Sequence, residues 1–192
     1  MRTRQRGLSL IEALVILAIV TLTITLTIPA FANINRKQAL RAAAAQLRVI
    51  FHHTRQRSIT MRVNCGLKFS ELAGVWHFAV YEDSDGDGIR NDDITKGIDR
   101  LIEPPRPLFR EWPVATIGLL DEKVKDADGD PVKTPVTFNR TTICSFTPRG
   151  ESTPGTIYLT DSRDLWCVRV YGASAKIRTL RYDAAAKKWI QQ

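Results

Sequence analysis

The stretch that decides the reading is Arg2-Thr3-Arg4-Gln5-Arg6-Gly7-Leu8-Ser9-Leu10-Ile11-Glu12, which runs on into Ala13-Leu14-Val15-Ile16-Leu17-Ala18-Ile19-Val20. No residue from Ala13 to Asn35 is charged, and Ala13–Ile28 consists of Ala, Leu, Ile, Val and Thr. A helix of about 20 apolar residues crosses the ~30 Å hydrocarbon core of a bilayer. Arginines immediately ahead of such a helix hold its N-terminus on the cytoplasmic side. The expectation is therefore a single-pass membrane protein or a chain with a removable export signal. Ala30-Phe31-Ala32 supplies an A-x-A site for the second option, with cleavage after Ala32 releasing a secreted β-domain. Glu12 separates the two. A carboxylate inside an apolar helix costs roughly 2.5–3.5 kcal/mol on insertion scales and marks function. An ordinary signal peptide has no use for it.

Gly7-Leu8-Ser9-Leu10-Ile11-Glu12, behind a short basic leader and ahead of an apolar helix, resembles the processing site of type IV pilins and pseudopilins. The family pattern is Gly, usually Phe, Thr or Ser, Leu, Ile or Val, and Glu. The resemblance implies that a prepilin peptidase of the inner membrane cuts after Gly7 and methylates the new amino-terminus at Leu8. Leu8 replaces the commoner Phe, a departure that bears on methylation more than on cleavage. It also implies that Glu12 pairs with the free amino-terminus of a neighbouring pilin or pseudopilin subunit, because a buried charge without a partner is strongly unfavourable. Pro29 fits the same pattern. The implied organisation is a cleaved leader over 1–7, a transmembrane assembly helix over 8–31, an amphipathic continuation over 32–61 and a β-rich head over 62–192.

Past the apolar run, Leu40, Ala43, Ala44, Leu47, Phe51 and Thr54 recur at helical spacing and form an apolar stripe. Arg41, Arg48, Arg55 and Arg62 recur every seven residues on another stripe, either solvated or facing neighbouring subunits. His52 and His53 are adjacent, so they diverge on a helix and cannot form an i, i+4 metal pair. After residue 62 the texture changes. Segments 63–69, 75–82, 136–139, 142–147, 156–160, 165–171 and 177–183 are rich in β-branched or aromatic residues, most of them bounded by Gly, Pro or Asp. Helices do not alternate with them, so the sheets are expected to be antiparallel. The expected fold is α+β and pilin-like: a long, partly transmembrane N-terminal helix packed on a small antiparallel β-sheet head.

The second half is similar to the minor pseudopilin H/FimT-like group. Trp76 through Asp93 follows its pattern of an aromatic strand and an Asp/Asn/Gly loop. Phe146-Thr147-Pro148-Arg149-Gly150 and the strand at Thr156-Ile157-Tyr158-Leu159 match later segments. The expected location is the bacterial inner membrane with a periplasmic head, and the expected role is a subunit of a type IV pilus or a type II secretion pseudopilus.

The formal net charge of +8 is divided along the chain. Residues 63–135 hold nine basic against fifteen acidic residues, whereas residues 136–192 hold nine against four. In the acidic part, Asp83-Ser84-Asp85-Gly86-Asp87-Gly88 is the first half of an EF-hand-type calcium loop. Alternate carboxylates converge on a hard cation, Gly88 gives the turn and the Ile89 carbonyl adds a ligand. The twelfth position is Ile94 rather than Glu, so Asp92 or Asp93 would close the calcium shell; a solvated turn is the plainer alternative. Asp126-Ala127-Asp128-Gly129-Asp130 reads as a hairpin turn.

In the basic part, Lys176, Arg178 and Arg181, with Arg169, Lys187 and Lys188 nearby, could present cations to DNA phosphates. Some FimT-like members are implicated in DNA uptake through a Gly-Arg-x-Arg segment. The matching residues here are Ala175-Lys176-Ile177-Arg178, so the pattern is altered, and DNA is a less favoured partner than other subunits. Three cysteines in an oxidising compartment predict one disulfide and one thiol. Cys144 with Cys167 is the expected pair, since both lie in the C-terminal strand region, although spacing does not fix connectivity. No nucleophile elbow, zinc motif or phosphate-cradling loop is present, and the expectation is a protein without enzymatic activity.

Overall fold

The computed structural model describes residues 10–120 and 124–192, with the side chains of residues 26–33 outside that description. The chain divides into two units, one ending at Gln38 and one running from Ala39 to Gln192. Helix α1 (Leu10–Met61) contributes to both. Its 52 residues carry Glu12 in the first turn.

In the first unit, the apolar side chains of Leu10–Thr25 are exposed all round the helix. Leu10 and Ile11 are 82% and 71% exposed, and Leu17 and Leu22 are both 63% exposed. Thr21, Thr23 and Thr25 turn their hydroxyls onto the carbonyls four residues back, at 2.7–2.8 Å. These bonds satisfy a polar group inside an apolar helix. Among the described residues, no helix is long and apolar enough to cross a membrane. That finding overturns the expected membrane-spanning helix and, with it, the single-pass inner-membrane placement with a periplasmic head.

The second unit is more extensive than the small antiparallel β-sheet head expected from sequence. Its described residues form ten strands in two antiparallel sheets. The first sheet has the order β3 (Arg100–Pro107), β2 (Val75–Glu82), β1 (Cys65–Leu72) and β6 (Ile143–Phe146). The second runs β10 (Lys188–Gln191), β9 (Ile177–Asp183), β8 (Leu165–Val170), β7 (Gly155–Thr160) and β4 (Thr116–Ile117), with β5 (Val136–Phe138) also paired to β7. A short helix α2 (Asn91–Lys96) precedes β3.

The two sheets arise because residues from both must cover one helix. Leu40, Ala43, Ala44, Leu47, Phe51 and Thr54 are all buried, as the stripe requires. Phe51 meets Phe69 and Phe146 of the first sheet at ring-centroid distances of 6.0 and 6.4 Å, and Phe138 of the second at 6.1 Å. Such edge-on aromatic contacts add to area burial. Phe69 and Phe138 stack directly at 6.0 Å, joining the sheets beside the helix. Ser58, fully buried, donates to the carbonyls of Val63 and Phe146 and so ties the helix end to β6. Arg62 then adopts a left-handed conformation (φ 59°), and the chain leaves the helix.

β3 contains Pro104, Pro105 and Pro107 and sits at the edge of its sheet. Proline cannot donate to a ladder, so an edge is where such a strand is tolerated. A second apolar cluster of Val124, Tyr158, Leu165, Cys167 and Leu180 lies apart from the main core, with Tyr182 and Trp189 packed on it.

Candidate functional site

The processing residues Gly7 and Leu8, and the whole leader 1–7, lie outside the described residues, as do the side chains of Pro29 and of Ala30-Phe31-Ala32. Glu12 is exposed in the first turn of α1. Its surroundings are the exposed apolar side chains already described.

The acidic loop is built in detail. β2 ends at Glu82, and Asp83 begins the loop as a buried carboxylate. Its Oδ1 accepts the amides of Asp85 (3.2 Å) and Gly86 (2.7 Å). Its Oδ2 accepts Asn64 Nδ2 (2.6 Å) and the Gly88 amide (2.9 Å). Burial pushes the Asp83 carboxyl up, but the hydrogen bonds from Asn64, Gly86, Gly88 and Asp85 together outweigh it, so Asp83 is held below the usual carboxylate range. Gly86 and Gly88 take positive φ values of 88° and 96°, which a side chain would oppose. One oxygen from each of Asp83, Asp85 and Asp87 lies within 4.8 Å of the others. Arg90 pairs with Asp87 at the rim.

The residues expected to close this shell are not part of that set. Asp92 is exposed and Asp93 is buried, but the ligand atoms of neither join Asp83, Asp85 and Asp87. The reason is local: the chain enters α2 at Asn91, and helical winding carries Asp92 outward. Gly97 ends α2 in the left-handed conformation (φ 74°) and turns the chain back. That return delivers Asp99, which is only 3% exposed. Asp99 Oδ2 accepts the Arg90 amide (3.3 Å), whereas its Oδ1 is buried without a hydrogen-bond partner among the described residues. Burial pushes the Asp99 carboxyl upward; the Arg90 amide opposes this, and the charges of Asp83, Asp93 and Asp85 add to the rise. Sequence reading missed Asp99 because it missed α2. Asn91-Asp92-Asp93-Ile94-Thr95-Lys96-Gly97, with acids in the first turn, a lysine in the last and glycine beyond, carried that signal.

The basic strand does not form one surface. β8 and β9 pair Arg169 with Arg178, Cys167 with Leu180, and Trp166 with Arg181. Side chains alternate along a strand, so Arg178 and Arg181, three residues apart, point to opposite faces. Arg178 and Arg169 flank the Tyr171 ring at 5.6 and 5.4 Å, and Arg169 also pairs with Asp128. Lys176 is exposed just before β9. Clustering of Lys176, Arg178 and Arg181 on phosphates is therefore not what the sheet delivers.

Asp126 accepts the amides of Asp128 and Asp130 through Oδ1, both at 2.9 Å, and closes the expected turn. His53 stands 4.0 Å from Glu103, away from any metal pair with its neighbour. Arg55 donates to the Gly150 carbonyl (3.0 Å), and so faces the head.

The expected Cys144–Cys167 disulfide is also corrected: Cys65, Cys144 and Cys167 are buried free thiols. Cys144 faces the main core, whereas Cys167 lies in the second cluster with Tyr158 and Leu180. Strand alternation turns Cys167 away from its neighbours Trp166 and Val168, which face the core. Burial pushes the Cys167 thiol up to about 12. Burial, then Glu82, push Cys65 up to about 11 against the opposing Arg57.

No protein-family model, curated protein or solved structure matches the chain.

Proposed function

We propose that this chain is a structural subunit of a helical filament, of the minor pilin or pseudopilin kind, that assembles through its N-terminal helix. The observation that carries the reading is the sleeve of apolar side chains on α1 from Leu10 to Ile24, between 47% and 82% exposed on all sides. Large contiguous apolar surfaces mark association sites, and a helix apolar all round is built to be surrounded. Copies of the same helix supply a matching cover.

Glu12 gives the packing its register. Surrounded by apolar helices, its carboxylate needs a cation, because an unpaired buried charge is strongly unfavourable. The amino-terminus freed by prepilin peptidase cleavage after Gly7 supplies an ammonium on a neighbouring subunit. The β-sheets carry further contacts with other subunits of a type IV pilus or a type II secretion pseudopilus. The role is mechanical rather than catalytic.

The intact mass of the chain isolated from its own cells tests this reading. A mature chain that begins at Leu8 is expected. One that begins at Asn33 has lost both Glu12 and the apolar helix; it is a secreted β-domain, and the filament reading fails.

A further inference from the structure

We propose that the outer face of the second sheet carries a groove that binds a carboxylated oligosaccharide, through the Arg140 and Arg169 guanidiniums and the hydroxyls of Thr137 and Thr156. This inference is independent of the filament reading. Register fixes the floor. Thr137 stands opposite Thr156, Thr156 opposite Arg169, and Arg169 opposite Arg178, so one row of side chains crosses β5, β7, β8 and β9. Residues directly opposite one another share a face of the sheet. Their chain neighbours Val136, Phe138, Ile157, Val168, Val170 and Ile177 lie in the main core, which turns the row outward. The next row on that face, Tyr158, Cys167 and Leu180, belongs to the second apolar cluster, against which Leu119, Leu120 and Val132 pack. Beside this covered row, Thr137, Thr156 and Arg169 line a groove of about 940 Å³. That lies within the roughly 300–1,000 Å³ of small-ligand sites.

Charge and donors select the ligand. Lys133, Arg140 and Arg169 line the groove against one acid, Asp126, whose Oδ1 is taken by two backbone amides of its own turn. Asn139 and Arg140 form a two-residue turn between Phe138 and Thr141, and both are left-handed (φ 43° and 70°). Such turns favour glycine at the second position, so this arginine is held against its backbone preference, a sign of function. Arg169 meets Asp128 through Nη2, and its guanidinium fork carries further N–H donors. Guanidiniums pair bidentately with carboxylates. Threonine hydroxyls both donate and accept, as sugar hydroxyls do. A nucleic acid needs aromatic faces for its bases. The Tyr171 ring is engaged by Arg169 and Arg178 at 5.4 and 5.6 Å, and Tyr158 is buried. A carboxylated sugar chain fits these donors better than a nucleotide chain.

Calorimetric titration of the full chain with tetragalacturonate tests the assignment, with uncharged maltotetraose and a thymidine tetranucleotide as comparisons. Saturable binding of the acidic tetrasaccharide is expected, with both comparisons weaker by about tenfold or more. Arg140→Gly should weaken tetragalacturonate binding by about tenfold or more. Its melting temperature should hold or rise, because glycine suits the left-handed turn. Thr156→Val, which keeps every cation, should weaken binding by about threefold or more. Arg110→Ala, at an exposed arginine outside the groove, should leave it unchanged. Absence of saturable binding at millimolar tetragalacturonate overturns the proposal. So does a comparison ligand that binds equally well, or an Arg140→Gly chain that binds like its parent. Should Arg140→Gly melt lower, Thr156→Val decides: parental affinity overturns the site.

Discussion

Ile89 lies directly over Gly66: a β-carbon on that glycine would stand 2.9 Å from Ile89 Cγ1 and 3.0 Å from its Cβ. Gly66 sits in β1, in register with Tyr81 and Ser145 on its two neighbours, and Ile89 is a buried apolar residue of the acidic loop. The contact pins the loop to the first sheet through atoms close to the Ile89 backbone, which cannot swing aside. Gly66→Ala should destabilise the chain by about 1–3 kcal/mol, the usual cost of overpacking. Chemical denaturation reads this loss.

Phe51 is fully buried and touches three other phenylalanines from both sheets. Truncation leaves a cavity at the place where helix and sheets meet. Phe51→Ala should cost about 3–5 kcal/mol in denaturant unfolding, whereas Val49→Ala, 66% exposed one turn-face away, should change little.

Gly155 faces Phe138 across β5 and β7 so closely that a β-carbon would stand 2.2 Å from both the Phe138 ring and the Thr137 carbonyl. A backbone oxygen does not yield as a side-chain tip does. Gly155→Ala should therefore unzip β5 from β7, with a stability loss of at least about 1–3 kcal/mol. Hydrogen exchange at the β5 amides should accelerate more than exchange in β1 and β2.

The three thiols set an alkaline limit. Each is raised by burial, so the neutral form is the one the fold prefers. A raised group contributes stability that is present below its unfolded value and lost as pH rises toward its folded value. Cys65 and Cys167 place that window between about 8.5 and the values of about 11 and about 12. Melting temperature should fall through this range. A thiol reagent at neutral pH should label none of the three cysteines in the folded chain and all three in denaturant.

Asp99 predicts a change of opposite sign to most buried-site substitutions. Its charge is opposed by those of Asp83, Asp93 and Asp85, and one of its oxygens is buried without a hydrogen-bond partner among the described residues. Asp99→Asn removes that repulsion, so the variant should melt higher than the parent at neutral pH. A variant that melts lower than the parent would assign Asp99 an ordinary structural role.

Much of the head was legible from local signals. The strands at 75–82, 165–170 and 177–183 are dense in β-branched and aromatic residues, and the helix stripe from Leu40 to Thr54 follows from spacing alone. β3 was hidden by its three prolines, which only an edge position tolerates, and β4 is too short to leave a pattern. Counting residues along β9 was enough to place Arg178 and Arg181 on opposite faces, but charge clustering drew the eye first. The pairing of Cys144 with Cys167 failed because membership of neighbouring strands says nothing about which face each thiol takes. The membrane-spanning expectation rested on a long uncharged run, whereas among the described residues no helix is long and apolar enough to cross a membrane. Asp99 depends on a chain reversal at Gly97 that brings distant carboxylates together, and no linear motif contains it.

The claim that Glu12 and its apolar helix build a filament is tested most directly by incorporation. Pilus and pseudopilus filaments are purified from cells that carry either the parent chain or Glu12→Leu, and the subunit is quantified in each. The parent should copurify with filaments, and Glu12→Leu should be depleted about tenfold or more, because it leaves the neighbour's ammonium without its partner. A parent chain that stays out of the filaments, or a Glu12→Leu chain that enters them equally well, would contradict the account.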